Sequence, residues 1–136
     1  SVFPGSHIRG IWRYDGSGPD PAGTIMHAQF SLCGETFMAM DSAHAHDFTF
    51  TGANSQLVIC KSQDEIDHYW SALSAVPEAE RCGWLKDRFG VSWQVVPEAL
   101  IGMMSDPDTA KVGRVTDAFM AMKKLDLAAL KRAYAG

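Results

Sequence analysis

Apolar and polar residues alternate through much of the first two thirds of the chain, and the period then lengthens. His7 to Tyr14 places Ile8, Gly10, Trp12 and Tyr14 on one side and His7, Arg9, Ile11 and Arg13 on the other, the pattern of a half-buried strand. Thr24 to Leu32 alternates again, with Met26, Ala28, Phe30 and Leu32 opposite Ile25, His27, Gln29 and Ser31. Cys33-Gly34 suits a two-residue hairpin turn, because Gly tolerates positive φ. Glu35 to Ser42 is then the returning strand, and Ser55 begins another. Between them, Asp15 to Gly23 is punctuated by Gly and Pro and reads as a loop.

A helix follows. Ser62 and Glu65 form an S-x-x-E capping box, and Ile66, Tyr69, Trp70 and Leu73 keep the spacing of a buried stripe. Trp84–Asp87 and Val91–Val96 return to strand alternation around a tight turn at "DRFG". Val91, Trp93 and Val95 share one face, with Trp93 expected in the core; Ser92, Gln94 and Val96 share the other. The end of the chain is helical. Pro97 suits a first helical position, ahead of an apolar face of Leu100, Ile101 and Met104. Asp106 is the expected N-cap of the next helix, with Val112, Val115, Phe119 and Met122 as its stripe and Lys123 and Lys124 at its C-terminal end. Asp126 caps a last helix to Tyr134.

The 136 residues are about the size of one domain, and 46% hydrophobic against 21% charged residues is enough to build a core. A net charge of -4 argues against nucleic acid or an anionic membrane as partner, since both need a basic footprint. No apolar run approaches the ~20 residues that span a bilayer. Cys33, Cys60 and Cys82 are widely spaced, form no C-x-x-C, and are expected as reduced, buried thiols of a cytoplasmic protein.

The stretch "CGWLKDRFGVSWQVVP", with "FPGSHIRGIWRY", "FMAMDS", "FTFTGANSQLVICKSQDEIDHYW" and "AFMAMKKLDLAALKRAYAG" in the same order, resembles the PhnB-like proteins. These are often labelled 3-demethylubiquinone-9 3-methyltransferase domain proteins, within the glyoxalase or vicinal oxygen chelate superfamily. The resemblance implies an α+β fold: paired βαβββ-like modules forming a cupped mixed sheet (the glyoxalase/bleomycin resistance/dioxygenase fold) with C-terminal helices. It divides a single 1–136 domain into the remainder of a first module (1–54), a second module (55–97) and helices (98–136). Family members carry an earlier strand and helix, so Ser1 is expected inside that helix, with the first strand missing. Gly52 stands where they often have Glu.

The resemblance also implies a homodimer, and metal sites built from His and Glu, or sometimes Gln, around the cup. Gln94 occupies the matching position of the second module, and a neutral amide is a weaker ligand than a carboxylate. His44 and His46, at i, i+2 of a strand, are the other candidates for a divalent metal. Two functions stand side by side, with a structural dimer that holds no ligand as a third. One is a small-molecule binder with a pocket of His27, Gln29, Trp84, Ser92 and Gln94. The other is a lyase, isomerase or dioxygenase using a divalent metal. Methyl transfer is not supported: no glycine-rich turn between a strand and a helix is present, and "DGSGPDPAG" holds two prolines with no helix after it.

Overall fold

The computed structural model describes residues 2–42 and 44–136. It is α+β, with two three-stranded sheets followed by helices, and it separates into two compact units, 1–48 and 49–136. No helix among the described residues is long and apolar enough to cross a membrane.

The first unit is an antiparallel meander of β1 (His7–Arg13), β2 (Ile25–Leu32) and β3 (Glu35–Met40). Cys33 and Gly34 join β2 to β3 with φ of 50° and 88°, the two positive values of a type I′ turn. The Gly/Pro loop is closed by Gly23 N–H donating to the Tyr14 carbonyl at 2.8 Å and by the Arg13 guanidinium donating to the Gly23 carbonyl at 2.7 Å. Ser1 lies outside the described residues. Residues 2–6 form a turn rather than a helix: Ser6 N–H donates to the Phe3 carbonyl at 3.3 Å, and Gly5 takes a φ of 72°.

The register alters one expected face. A shift between Ile8 and Gly10 pairs Ile8 with Phe30, while Gly10 and Trp12 pair with Gln29 and His27. Ile8 therefore leaves the Gly10–Trp12 side, because the bulge inserts one residue into the alternation. β1 also ends before Tyr14, and β3 before Asp41.

The second unit begins with β4 (Ser55–Cys60) and α1 (Gln63–Leu73), followed by a 3-10 turn at Pro77–Ala79, β5 (Trp84–Lys86) and β6 (Ser92–Pro97). The sheet order is β4-β6-β5, with β4 parallel and β5 antiparallel to β6. Ser62 caps α1 by accepting from Glu65 N–H at 3.2 Å, and the Glu65 carboxylate accepts from Lys61 N–H at 2.6 Å, one residue before the cap. Ile66 and Leu73 bury the helix's apolar stripe on the sheet side that also buries Cys60, Leu85 and Val95.

Two turns shape the strand pair. Cys82-Gly83 is a second type I′ turn, with φ of 50° and 84°, between Arg81 and Trp84, which exchange backbone bonds. Gly83 is required there, because a Cβ would lie 3.1 Å from both Leu125 Cδ1 and the Val95 carbonyl. The "DRFG" turn is organised by Asp87. Its Oδ1 accepts from Phe89 N–H (2.9 Å) and Val91 N–H (3.0 Å), and its Oδ2 accepts from Trp93 Nε1 at 3.0 Å. Trp93 is half-buried rather than enclosed in the core, so its indole N–H can reach this carboxylate.

The C-terminal helices are α2 (Glu98–Met104), α3 (Thr109–Met120) and α4 (Leu127–Ala135). Leu100, Met103, Val115, Leu125 and Leu130 form their core. Met103 is buried where Ile101 and Met104 were expected, because three residues from Leu100 is one helical turn on the packed side. Pro97 is the N-cap of α2 rather than its first residue. Asp108, not Asp106, caps α3, accepting from Ala110 and Lys111 N–H. Asp106 is engaged elsewhere: it accepts from Asp108 N–H at 2.8 Å and from the Tyr134 hydroxyl. Lys123 and Lys124 turn away from the end of α3, toward Glu80 at 3.4 Å and Asp67 at 2.5 Å. The Gln63 side chain joins α1 to the last helix, donating to the Leu125 carbonyl at 3.2 Å and accepting from Leu127 N–H at 2.8 Å.

Candidate functional site

In the second sheet, alternation and register put Ser55, Leu57, Ile59, Trp84, Lys86, Ser92, Gln94 and Val96 on the side away from α1. Leu57 and Ile59 are 54% and 51% exposed, whereas Ser92 is buried and the other five residues are half-buried. Gln94 pairs in register with Leu57 on one flank and Trp84 on the other. Its Nε2 donates to Ser55 Oγ at 2.9 Å, which holds the amide in place and leaves its oxygen as an acceptor.

Two cavities meet this side. One, of about 260 Å³, is lined by Phe50, Thr51, Asn54, Ser55, Gln56 and Ser92 among others. The other, of about 440 Å³, is lined by Gly52, Val76, Glu78, Trp84, Lys86 and Ser92 among others. Ser92 is buried and borders both. Glu78 and Lys86 add one charge of each sign to the larger cavity. A side chain at Gly52 would meet nothing within 4 Å, so the larger cavity is open at this position.

Trp84, Ser92 and Gln94, expected in a pocket, therefore share one face of one sheet. His27 and Gln29 share a face of the first sheet with Trp12. The Trp12 indole stacks on the His27 ring at 4.4 Å and 16°, and it covers Gly10, where a Cβ would be only 2.6 Å away. His44 and His46 do not lie on a strand: residues 41–42 and 44–54 are irregular, and His46 packs its ring against Phe48 at 4.8 Å. Among the described residues no group of three or more His, Cys, Asp or Glu side chains is placed to hold a metal ion. Gln94, Ser55, Ser92 and Trp84 provide no carboxylate, imidazole or thiolate, so they do not fit a divalent cation. The alternation of β6 revealed Ser92 and Gln94. Phe50, Thr51, Gly52, Asn54, Glu78 and Lys86 were missed as pocket lining, because most come from irregular backbone with no periodic signal.

The family described as 3-demethylubiquinone-9 3-methyltransferase matches residues 1–96. The chain belongs to this family. The match ends within β6, and helices α2 to α4 lie beyond it. Among solved structures, the family's PhnB protein from Bacillus cereus is 40% identical, with a TM-score of 0.61 over 71% of this chain and 82% of that one. Protein PA1353 from Pseudomonas aeruginosa is 26% identical, with a TM-score of 0.50 over 69% of this chain and 80% of its own. No curated protein matches significantly. The larger cavity thus lies in the family-matched part of the chain, walled by β5, β6 and the segments before them.

Proposed function

We propose that the second unit binds a small organic molecule beside Trp84, Ser92 and Gln94. The observation that carries this reading is a cavity of about 440 Å³ lined by Trp84 and Ser92, with the Gln94 amide, held by Ser55, paired in register with Trp84. That volume falls in the ~300–1,000 Å³ range of small-molecule sites. The Trp84 ring offers a flat apolar wall, and Ser92, Glu78 and Lys86 offer polar groups that orient a ligand. A small aromatic or heteroaromatic compound with a hydrogen-bond donor suits these groups best.

Ligand-observed NMR with a mixture of monocyclic aromatic amides and alcohols tests the reading. Binders should appear with the parent chain and be lost in Trp84→Leu and Gln94→Ala. Hits that persist in both variants, or no hits with the parent, refute it. The metal-dependent alternative predicts stoichiometric divalent metal after dialysis, lost in Gln94→Ala. The donor chemistry on this face favours the metal-free form.

A homodimer belongs to the same reading. Leu57 and Ile59 are exposed on β4, an edge strand with neither charge nor proline. Such an edge invites a second chain. Light scattering after size exclusion reads the mass directly, and a monomer at tens of micromolar would reject the dimer.

A further inference from the structure

Two sulfur atoms that play no part in the proposed ligand site converge in a cavity that shares Ala79 and Trp84 with it. Cys82 Sγ lies 3.7 Å from Met120 Sδ and 3.4 Å from the Met120 carbonyl oxygen. Both side chains line a cavity of about 380 Å³ with Ala79, Arg81 and Trp84. Cys82 is fixed from two sides. It occupies a type I′ turn at φ 50°, and Cys82 and Gly83 N–H donate to the Met122 and Lys123 carbonyls at 2.8 Å. The thiol is thus presented by a held backbone rather than a loose loop.

The charge around the pair suits a cation. Met120 is the last residue of the twelve-residue α3, so its carbonyl sits at the negative end of the helix dipole. No basic residue occupies the last turn of α3, and Lys123 and Lys124 are committed to Glu80 and Asp67. A thiolate and a thioether are soft ligands, the kind that select Cu(I)-like ions over Mg²⁺ or Ca²⁺. A two-coordinate d10 ion prefers its two sulfurs opposite each other, about 4.6 Å apart for metal–sulfur bonds of about 2.3 Å, so binding opens the 3.7 Å gap by about 1 Å, a movement open to the exposed Met120 side chain.

We propose that Cys82 and Met120 form a two-sulfur site for a soft monovalent cation of the Cu(I) and Ag(I) type. Binding exchanges the thiol proton for the metal: the S–H bond breaks, an S–metal bond forms, and one proton is released. The bound thiolate and cation are together neutral, so the Arg81 guanidinium on the cavity wall does not oppose binding.

Ag(I), which needs no reductant, is the probe. Cys33 is also exposed, so the parent for the test carries Cys33→Ser. Titration against a competing histidine buffer should show one tightly held Ag(I). Cys82→Ser should abolish it. Met120→Leu, a near-isosteric change at a 53% exposed residue, removes one of the two sulfur ligands and should weaken binding by at least about tenfold, since even the loss of a group that only orients a ligand costs that much. In methyl-labelled protein one Met methyl signal should move on binding, and that signal should be missing from Met120→Leu. Unchanged affinity in Met120→Leu would reduce the site to a thiol alone and overturn the proposal. So would Ag(I) retained by Cys82→Ser, or a Met120 methyl that does not move.

Discussion

Replacing Asp87 by Ala takes one carboxylate from the β5–β6 turn and leaves three donors to find other partners. Phe89 is exposed, and its N–H can turn to water. The bonds from Val91 N–H and Trp93 Nε1 are part-buried, and each donor left unpaired costs about 1–3 kcal/mol. The loss should therefore be about 2–4 kcal/mol. With a urea m-value of about 2 kcal/mol/M, the midpoint falls by roughly 1–2 M with little change in slope. Asp87→Asn keeps one acceptor but sets its NH₂ against a donor, so its loss should be about half as large. Urea titration followed by circular dichroism reads both, and indole N–H exchange reports the freed Trp93. A change below about 0.5 kcal/mol in Asp87→Ala, the range of ordinary surface substitutions, would show that water replaces all three bonds and would refute the argument.

Gly83→Ala combines positive φ with a Cβ 3.1 Å from the Val95 carbonyl, so it should destabilise by more than Gly34→Ala, where φ is 88° and nothing lies within 4 Å. Backbone strain alone predicts about 1–2 kcal/mol for Gly34→Ala, and equal thermal shifts in the two variants would disprove the close approach at Gly83. Burial, reinforced by Glu65, pushes the Cys60 thiol up to about 11 from an ordinary 9.0, so iodoacetamide at pH 8 should label Cys33 and leave Cys60 until the chain unfolds. Because this pKa is raised in the folded state, its stabilising contribution is complete below pH 9 and is lost as pH rises toward about 11; a Cys60→Ala variant with the same alkaline slope would contradict this. The Ser74 hydroxyl, and then Lys123, hold the Glu80 carboxyl below its ordinary value, so its contribution is present above the usual carboxylate range and is lost as pH falls through the lowered pKa. In Ser74→Ala the Glu80 carboxyl carbon should titrate at higher pH by NMR, and an unmoved curve would assign the shift to Lys123.

The local signals in the sequence carried most of the elements. The Ser62 cap and the Ile66–Leu73 stripe of α1 depend on residues within one or two helical turns, and they appear where the periodicity places them. The Cys33-Gly34 turn is equally local. The α3 cap moved to Asp108 because Asp106 is held in part by the Tyr134 hydroxyl, 28 residues away, a partner no short window contains. The same holds for Ile8, whose side of the sheet depends on a bulge set by pairing with β2. At the candidate site, alternation alone placed Gln94 and Ser92 together. The bond from Gln94 to Ser55 crosses 39 positions of sequence and required the parallel register of β4 and β6. The cysteines show the limit of composition: Cys60 is buried, but Cys33 is exposed and Cys82 half-exposed, because two of the three serve as turn residues.

The side-chain amide of Gln63 has a consequence for synthesis. Its partners, the Leu125 carbonyl and the Leu127 N–H, lie 62 and 64 positions later. A chain emerging at about 5–20 residues per second makes α1 roughly 3–13 s before those partners exist. Until then the start of α1 must be hydrated by solvent. The second unit therefore closes after translation has reached its last helix, and a pause or truncation before Leu125 leaves the family-matched strands with an unfinished joint.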